Sequence, residues 1–300
     1  MCIRDSDEAL NNARKALAKS TGKDLDENQV DGLKQAIIDT KDALNGEERL
    51  AKSKAKAQEY VQTLSNLNNA QRKVAENSIT NSEDLNSLAE SISKVTELNK
   101  AMEDLHNALI SNATPVHASV NYINADEDLQ NQFDQALQQA RNTLSKATGK
   151  PASIEEVQGL IQSIKDTKEA LNGDQRLAKA KFKAEIFINQ LKDLNNAQRV
   201  DSIKQANDTD NLKDLSQIVS TASDLNNSMS ELKAKLKETV NPVKSSINYI
   251  NADYDLKRQF NKAIKDAREA LSKTKGANLN ERDIQGLSQA CLLYTSDAAD

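Results

Sequence analysis

The sequence predicts an all-α protein built as a tandem array. Three observations carry this reading. The chain repeats with a fixed period of 127 residues: Leu67–Arg72 and Leu194–Arg199 both read LNNAQR, and Asn121–Asp126 and Asn248–Asp253 both read NYINAD. Gly (8) and Pro (3) are scarce among 300 residues, while Ala, Leu, Lys, Glu, Gln and Asn dominate, which favours helix. Apolar residues recur at three- and four-residue steps over long stretches, the mark of helices with one buried face. A long fixed period signals an array of like units. It also supplies an internal control, because a residue that every unit needs should return 127 positions later.

One complete unit runs from about Pro115 to Asn241. Its first helical stripe is Leu129, Phe133, Ala136, Leu137, Ala140 and Leu144, with Asp126 as a candidate cap and Gly149 at the stop. Ser153 with Glu156 forms a capping box before a second stripe of Ile154, Val157, Leu160, Ile161, Ile164 and Leu171. The other copies place Asp26 with Gln29 and Asn280 with Asp283 there, so the helix start is encoded each time. Asn172-Gly173 is read as the end of this helix, with glycine in a left-handed C-cap. A third stripe (Leu177, Ala180, Ala184, Phe187, Ile188, Leu191, Leu194, Ala197, Ile203) is read as one long helix from Asp174 to about Ala206. Thr209, matching Ser82, is read as the cap of a short helix over Leu212, Leu215, Ile218 and Val219. A last helix carries Ala222, Leu225, Met229, Leu232, Leu236 and Val240, and Asn241-Pro242 is expected to stop it. Three-helix bundles joined by shared long helices into an elongated rod follow from this pattern.

Composition excludes several classes. Net charge is −5, from 45 acidic and 40 basic side chains interspersed along the chain, so no basic face for nucleic acid emerges. No apolar run approaches the roughly 20 residues that cross a bilayer, and no signal peptide or sorting signal is visible. Cys2 and Cys291 both fall outside the periodic region, which removes disulfide and Cys-based metal sites from the units. The segments 1–6 (MCIRDS) and 291–300 (CLLYTSDAAD) break the pattern and resemble translated adapter sequence. They are set aside as non-native, with the helix that starts near Glu281 expected to be cut at Cys291. The chain is then expected to be an internal fragment.

No catalytic, cofactor-binding or metal-ligating set is expected, and the partner-binding residues are unknown at this level. His106 and His117 are the only histidines, and their counterparts 127 positions on are Lys233 and Lys244, so neither position requires an imidazole. Both are read as solvated positions. A Ser–His–Asp or Cys–His set cannot recur without a recurring His, and there is no Gly-rich phosphate loop. Tyr122 with Tyr249, Phe133 with Phe260, and Tyr60 with Phe187 recur near apolar stripes and are read as core or joint packing. The alternative for Tyr122 and Tyr249 is an exposed contact with a partner.

The segment Phe133–Gly173, with its helix, TGK turn, capping box and LNG ending, resembles the FIVAR module. The segment from Leu194 to about Val240, opening LNNAQR, resembles the GA module. Their alternation is similar to the repeats of the giant staphylococcal extracellular matrix-binding proteins. On that resemblance the chain divides into 7–65 (FIVAR-like), 66–111 (GA-like), 112–193 (FIVAR-like), 194–240 (GA-like) and 241–290 (partial FIVAR-like). The resemblance implies a wall-attached surface protein of Gram-positive bacteria that binds fibronectin, with a part in attachment or envelope integrity. Without a recurring catalytic set, no enzyme activity and no cofactor are expected. Some GA modules bind albumin through their later helices. Here Asn211–Lys235 is mostly Asp, Asn, Ser and Lys outside the apolar stripe, so albumin binding does not carry over, and no fibronectin-contact residue can be matched one by one.

Overall fold

The computed structural model describes residues 3–296, and the side chains of 4–291. The described residues form helices α1 (Ile3–Ala16), α2 (Glu27–Asp42), α3 (Gly46–Thr63), α4 (Asn69–Asn81), α5 (Leu85–His117), α6 (Val120–Ile123), α7 (Glu127–Leu144), α8 (Ile154–Glu169), α9 (Gly173–Gln190), α10 (Asn196–Asp208), α11 (Leu212–Lys244), α12 (Ile247–Asn251), α13 (Tyr254–Ala270) and α14 (Glu281–Ser296). No strand occurs among them. The chain splits into two compact units, one of residues 1–110 and 136–164, the other of 111–135 and 165–300.

In the second unit, α9 packs on α10 and on the first part of α11, while α13 and α14 pack along the later part of α11. The core is a continuous row on α11: Leu215, Ala222, Leu225, Met229, Leu232, Leu236 and Val240 are all buried. Leu177, Ala184, Ile188, Leu194 and Ala206 meet it from one side, and Phe260, Ile264, Ala267 and Ile284 from the other. One 33-residue helix therefore serves two three-helix bundles. In the first unit, Ala57 and Val61 on α3, Ala75 and Ile79 on α4, and Leu88 and Val95 on α5 close the corresponding bundle around Leu64 and Leu67.

The three capping boxes form as the sequence requires. Asp26 and Gln29 exchange bonds at α2, Ser153 and Glu156 at α8, and Asn280 and Asp283 at α14. The stripes also hold: Phe133, Leu137, Ala140, Val157 and Ile164 are fully buried.

Several helix boundaries differ from the sequence reading. The single helix expected over 174–206 is two, because Asn195 caps α10: its side chain accepts the N–H of Gln198, and the Gln198 side chain accepts the N–H of Asn195. A capped start is incompatible with a helix continuing through the same residue. The two helices expected over 210–240 are one. Thr209 is the C-cap of α10, and Asn211 caps α11 instead. Nothing interrupts α11 at Ser220-Thr221, because the Thr221 hydroxyl bonds the carbonyl of Gln217 one turn back. Pro242 lies inside α11, as Pro115 does in α5. Each lies two residues from the C-terminal end of its helix, so the lost i→i−4 bond and the ring clash are confined to the last turns. The shared helix is thus α11.

No glycine among the described residues has positive φ. Gly46 and Gly173 open α3 and α9 rather than close the preceding helices. Helix α14 is not cut at Cys291 but runs to Ser296. Cys291 is a buried free thiol at the position that Ile164 fills one repeat earlier, and burial pushes its pKa up. Helix α1 starts at Ile3, inside the segment set aside as non-native, and Cys2 lies outside the described residues.

Candidate functional site: the module joints

The recurring polar motifs meet at two kinds of joint. The first is built on LNNAQR. Leu67 and Leu194 are fully buried, as are the polar residues that follow them, Asn68 and Asn195. With their Oδ1 atoms spent on the helix cap, these asparagines aim both amide hydrogens at a distant turn. Asn68 Nδ2 donates to the carbonyls of Thr143 (3.0 Å) and Lys150 (3.0 Å). Asn195 Nδ2 donates to Ala270 (3.1 Å) and Ala277 (2.9 Å), the same positions one repeat on.

The rest of the motif completes the joint. The backbone N–H of Asn69 reaches the carbonyl of Lys146, and that of Asn196 reaches Lys273. Gln71 Nε2 donates to Ala152 (3.3 Å), and Gln198 Nε2 to Leu279 (2.9 Å). Lys146 Nζ answers onto the carbonyls of Ser65 and Leu67, and Lys273 Nζ onto those of Lys192 and Leu194. Burial, helped by the nearby charge of Arg72 or Arg199, holds both ammonium groups below their ordinary pKa. Arg72 and Arg199 turn the other way and bond the carbonyls of Leu64 (3.0 Å) and Leu191 (2.7 Å) behind the preceding helix. Gly149 and Gly276 are the floor of the turn. A Cβ on either would run into the Nδ2 atom of Asn68 or Asn195 and into two carbonyl oxygens.

The second joint is built on NYINAD and lies within the second unit. Asn124 is buried. Its Nδ2 donates to the carbonyl of Asp210 (2.8 Å), and its Oδ1 accepts the N–H of Leu212 (2.7 Å). Asn121 Oδ1 accepts the N–H of Asp174 (3.1 Å). Gly173 lies so close that a Cβ there would be driven into the carbonyl oxygen of Asn121. Asp126, expected as a helix cap, has its carboxylate drawn elsewhere. It receives Asn172 Nδ2 (2.7 Å) and pairs with Arg176 Nε (3.2 Å), while its own N–H donates to Asn172 Oδ1 (3.0 Å).

The two histidines part company. His106 is exposed, as expected. His117 is not a free solvated position: its Nε2 lies 2.6 Å from Asp134 Oδ1, and its ring stands edge-on to Tyr122, centroids 4.6 Å apart. Tyr122 donates to Asp134 Oδ2 (2.8 Å), and burial followed by that carboxylate pushes its pKa up to about 12. Tyr249 is likewise half-buried, on Phe260, and accepts from Asn261. Both tyrosines pack within the module. Tyr60 and Phe187 are about two-fifths exposed, and Tyr60 bonds Thr96 on α5. Among the described residues, no group of three or more His, Cys, Asp or Glu side chains is placed to hold a metal.

Sequence reasoning took LNNAQR as part of a helix and missed its role. The available signal was the identical return of four polar residues among buried positions. Polar side chains kept without change in two copies mark specific hydrogen bonds, because an unpaired buried amide is costly.

This architecture, helical bundles in strict alternation with a shared long helix, defines a modular repeat protein. The chain matches the FIVAR domain at residues 4–45, 101–172 and 228–290, and the GA module at 47–101 and 174–228. It belongs to the FIVAR family, with GA modules interleaved. The boundaries at 101 and 228 fall inside α5 and α11. It is 39% identical over 284 residues to the extracellular matrix-binding protein ebh of Staphylococcus aureus strain NCTC 8325 / PS 47, covering 95% of this chain and 3% of that protein. Extracellular matrix-binding protein EbhA of strain Newman gives the same identity over 95% of this chain and 8% of its own length. The chain thus spans a small fraction of these relatives. A crystal structure of an EbhA domain from Staphylococcus aureus superposes with a TM-score of 0.67 at 30% identity, over 73% of this chain and 87% of that one.

Two outcomes follow. Gly173→Ala should destabilise the second unit by about 1–3 kcal/mol through overpacking. Gly46→Ala, at the equivalent position with nothing within 4 Å of the new Cβ, should be neutral or stabilising by up to about 1 kcal/mol. Urea denaturation of the two variants checks this. The raised Tyr122 pKa contributes stability that is complete below the free phenol value of 10.0 and is lost as pH rises from there to about 12. Tyr122→Phe should flatten the loss of stability over that alkaline window, measured by denaturation at stepped pH.

Proposed function

We propose that this chain is a repeat segment of a bacterial cell-surface protein, serving as a helical spacer and adhesin that engages extracellular matrix through many weak, like contacts. One observation carries the reading. Residues that return at the 127-residue period build cores and joints, and no set of catalytic type returns with them. Such a design builds length and multiplicity. Its relatives are named for matrix binding, and fibronectin is the matrix protein proposed here. Attachment to the cell wall, exposure outside the cell and the absence of catalysis belong to the same proposal. No helix among the described residues is long and apolar enough to cross a membrane. Linked weak sites gain avidity steeply with number when the spacing permits simultaneous engagement.

A per-module binder, for albumin or immunoglobulin, is the second reading, and one feature favours it. Phe182 and Ile186 stand 65% and 44% exposed, one turn apart on α9. The first copy has Ala55 and Glu59 at these positions, so the apolar pair is not needed by the fold. If neither matrix nor serum protein is bound, a purely structural envelope spacer is left.

The test is capture of fibronectin by this chain, alone and as about four linked copies. The adhesin reading expects weak capture by one copy and a steep rise on linkage. Equal, tight capture of albumin or immunoglobulin by the single chain, lost on Phe182→Ala with Ile186→Ala, would favour the per-module reading. No capture at either length would leave the spacer.

A further inference from the structure

Asn–Gly occurs twice, as Asn45-Gly46 and Asn172-Gly173, at the same point of the repeat. It is the dipeptide most prone to deamidation, because glycine leaves its own backbone nitrogen unhindered. That nitrogen attacks the asparagine Cγ, and the side-chain nitrogen departs as ammonia. A five-membered succinimide forms. Water then opens it at either carbonyl, giving aspartate or isoaspartate, so amide and water become acid and ammonia with no oxidant or cofactor.

The two copies present this dipeptide in similar backbone conformations, but only Asn172 has an NYINAD motif before it in this sequence. Asn45 has φ −114° and ψ 23°, and Asn172 has φ −117° and ψ 11°; neither side chain caps its helix. Asn45 is exposed, with open space around Gly46. The amide of Asn172 is gripped at both ends by Asp126, Oδ1 by the backbone N–H and Nδ2 by the carboxylate, and Gly173 is buried against Asn121. We propose that Asn172 is a deamidation-sensitive latch of the NYINAD joint: closure of the joint protects it, and its conversion to aspartate loosens the joint. The chemistry of the contact supports this. Replacing Nδ2 by an oxygen turns a 2.7 Å hydrogen bond into an approach of two carboxylates, and isoaspartate also lengthens the backbone beside the close contact at Gly173. The inference does not depend on what the chain binds. It makes the joint a slow, irreversible timer, reset only by new synthesis.

Incubation of the whole chain in mildly alkaline buffer, followed by peptide mapping for the amide-to-acid mass gain, reads both sites in one sample. Two hydrogen bonds to the amide, one of them to a charge, should make Asn172 convert at least about tenfold more slowly than Asn45. Asp126→Ala should raise the rate at Asn172 and leave Asn45 unchanged, and Gly46→Ala should slow Asn45 alone. As a second readout, Asn172→Asp should lower the melting temperature while Asn45→Asp should not. Equal conversion of the two sites in the unaltered chain, an unchanged Asn172 rate in Asp126→Ala, or equal melting of the two aspartate variants would each overturn the proposal.

Discussion

The structure depends on one side-chain amide used from both ends. Asn195 Oδ1 starts α10, and Asn195 Nδ2 holds a turn 75 to 82 residues later. Asn68 does the same in the first copy. A residue with only donors or only acceptors could not do both. Aspartate would cap the helix but repel the two carbonyls, and serine would cap it but lack the reach. Because Asn68 and Asn195 are fully buried, water cannot replace the lost partners, and an alternative packing of the turn would leave unpaired carbonyls at a cost of about 1–3 kcal/mol each. The glycine floor at Gly149 and Gly276 and the lysine that returns over the motif follow from the same requirement. Both give two polypeptide segments a close approach with their polar groups satisfied.

This explains how a lean chain, with 37% hydrophobic residues and no tryptophan, keeps its modules in register. Each bundle has only a thin row of Leu, Ile, Val, Ala and Met at its centre. Such rows specify burial but tolerate sliding, because many apolar residues fit a row about equally well. Buried, fully paired amides have one satisfied arrangement. The apolar rows therefore supply most of the stability, while the joint asparagines and glutamines fix which turn meets which helix start. The NYINAD joint uses the same device, with Asn124 accepting from one backbone group and donating to another across the start of α11.

Much of this was legible in the sequence. The stripes and the three capping boxes follow from local spacing, and the alternation of modules from the resemblance of whole segments. The break between α9 and α10 was not legible from apolar periodicity, because Leu191 and Leu194 keep helical spacing through the turn, Leu191 partly and Leu194 fully buried. The continuity of α11 was hidden by Ser220-Thr221, residues that often interrupt helices and here do not. The glycines were misread because local rules explain a glycine by its φ angle. Gly149, Gly173 and Gly276 are required by atoms that arrive from distant residues. The partner of Asn195 could not be found by any local rule, since nothing near it in sequence needs its amide hydrogens.

The most direct test of the amide's double role is residue-resolved hydrogen exchange on Asn195→Ala. If the amide joins the two segments, protection should fall both at the start of α10 and across residues 270–279, while residues 143–152 in the first copy stay protected by Asn68. Loss of protection confined to α10 would show that Asn195 is a helix cap and nothing more, and would contradict the account.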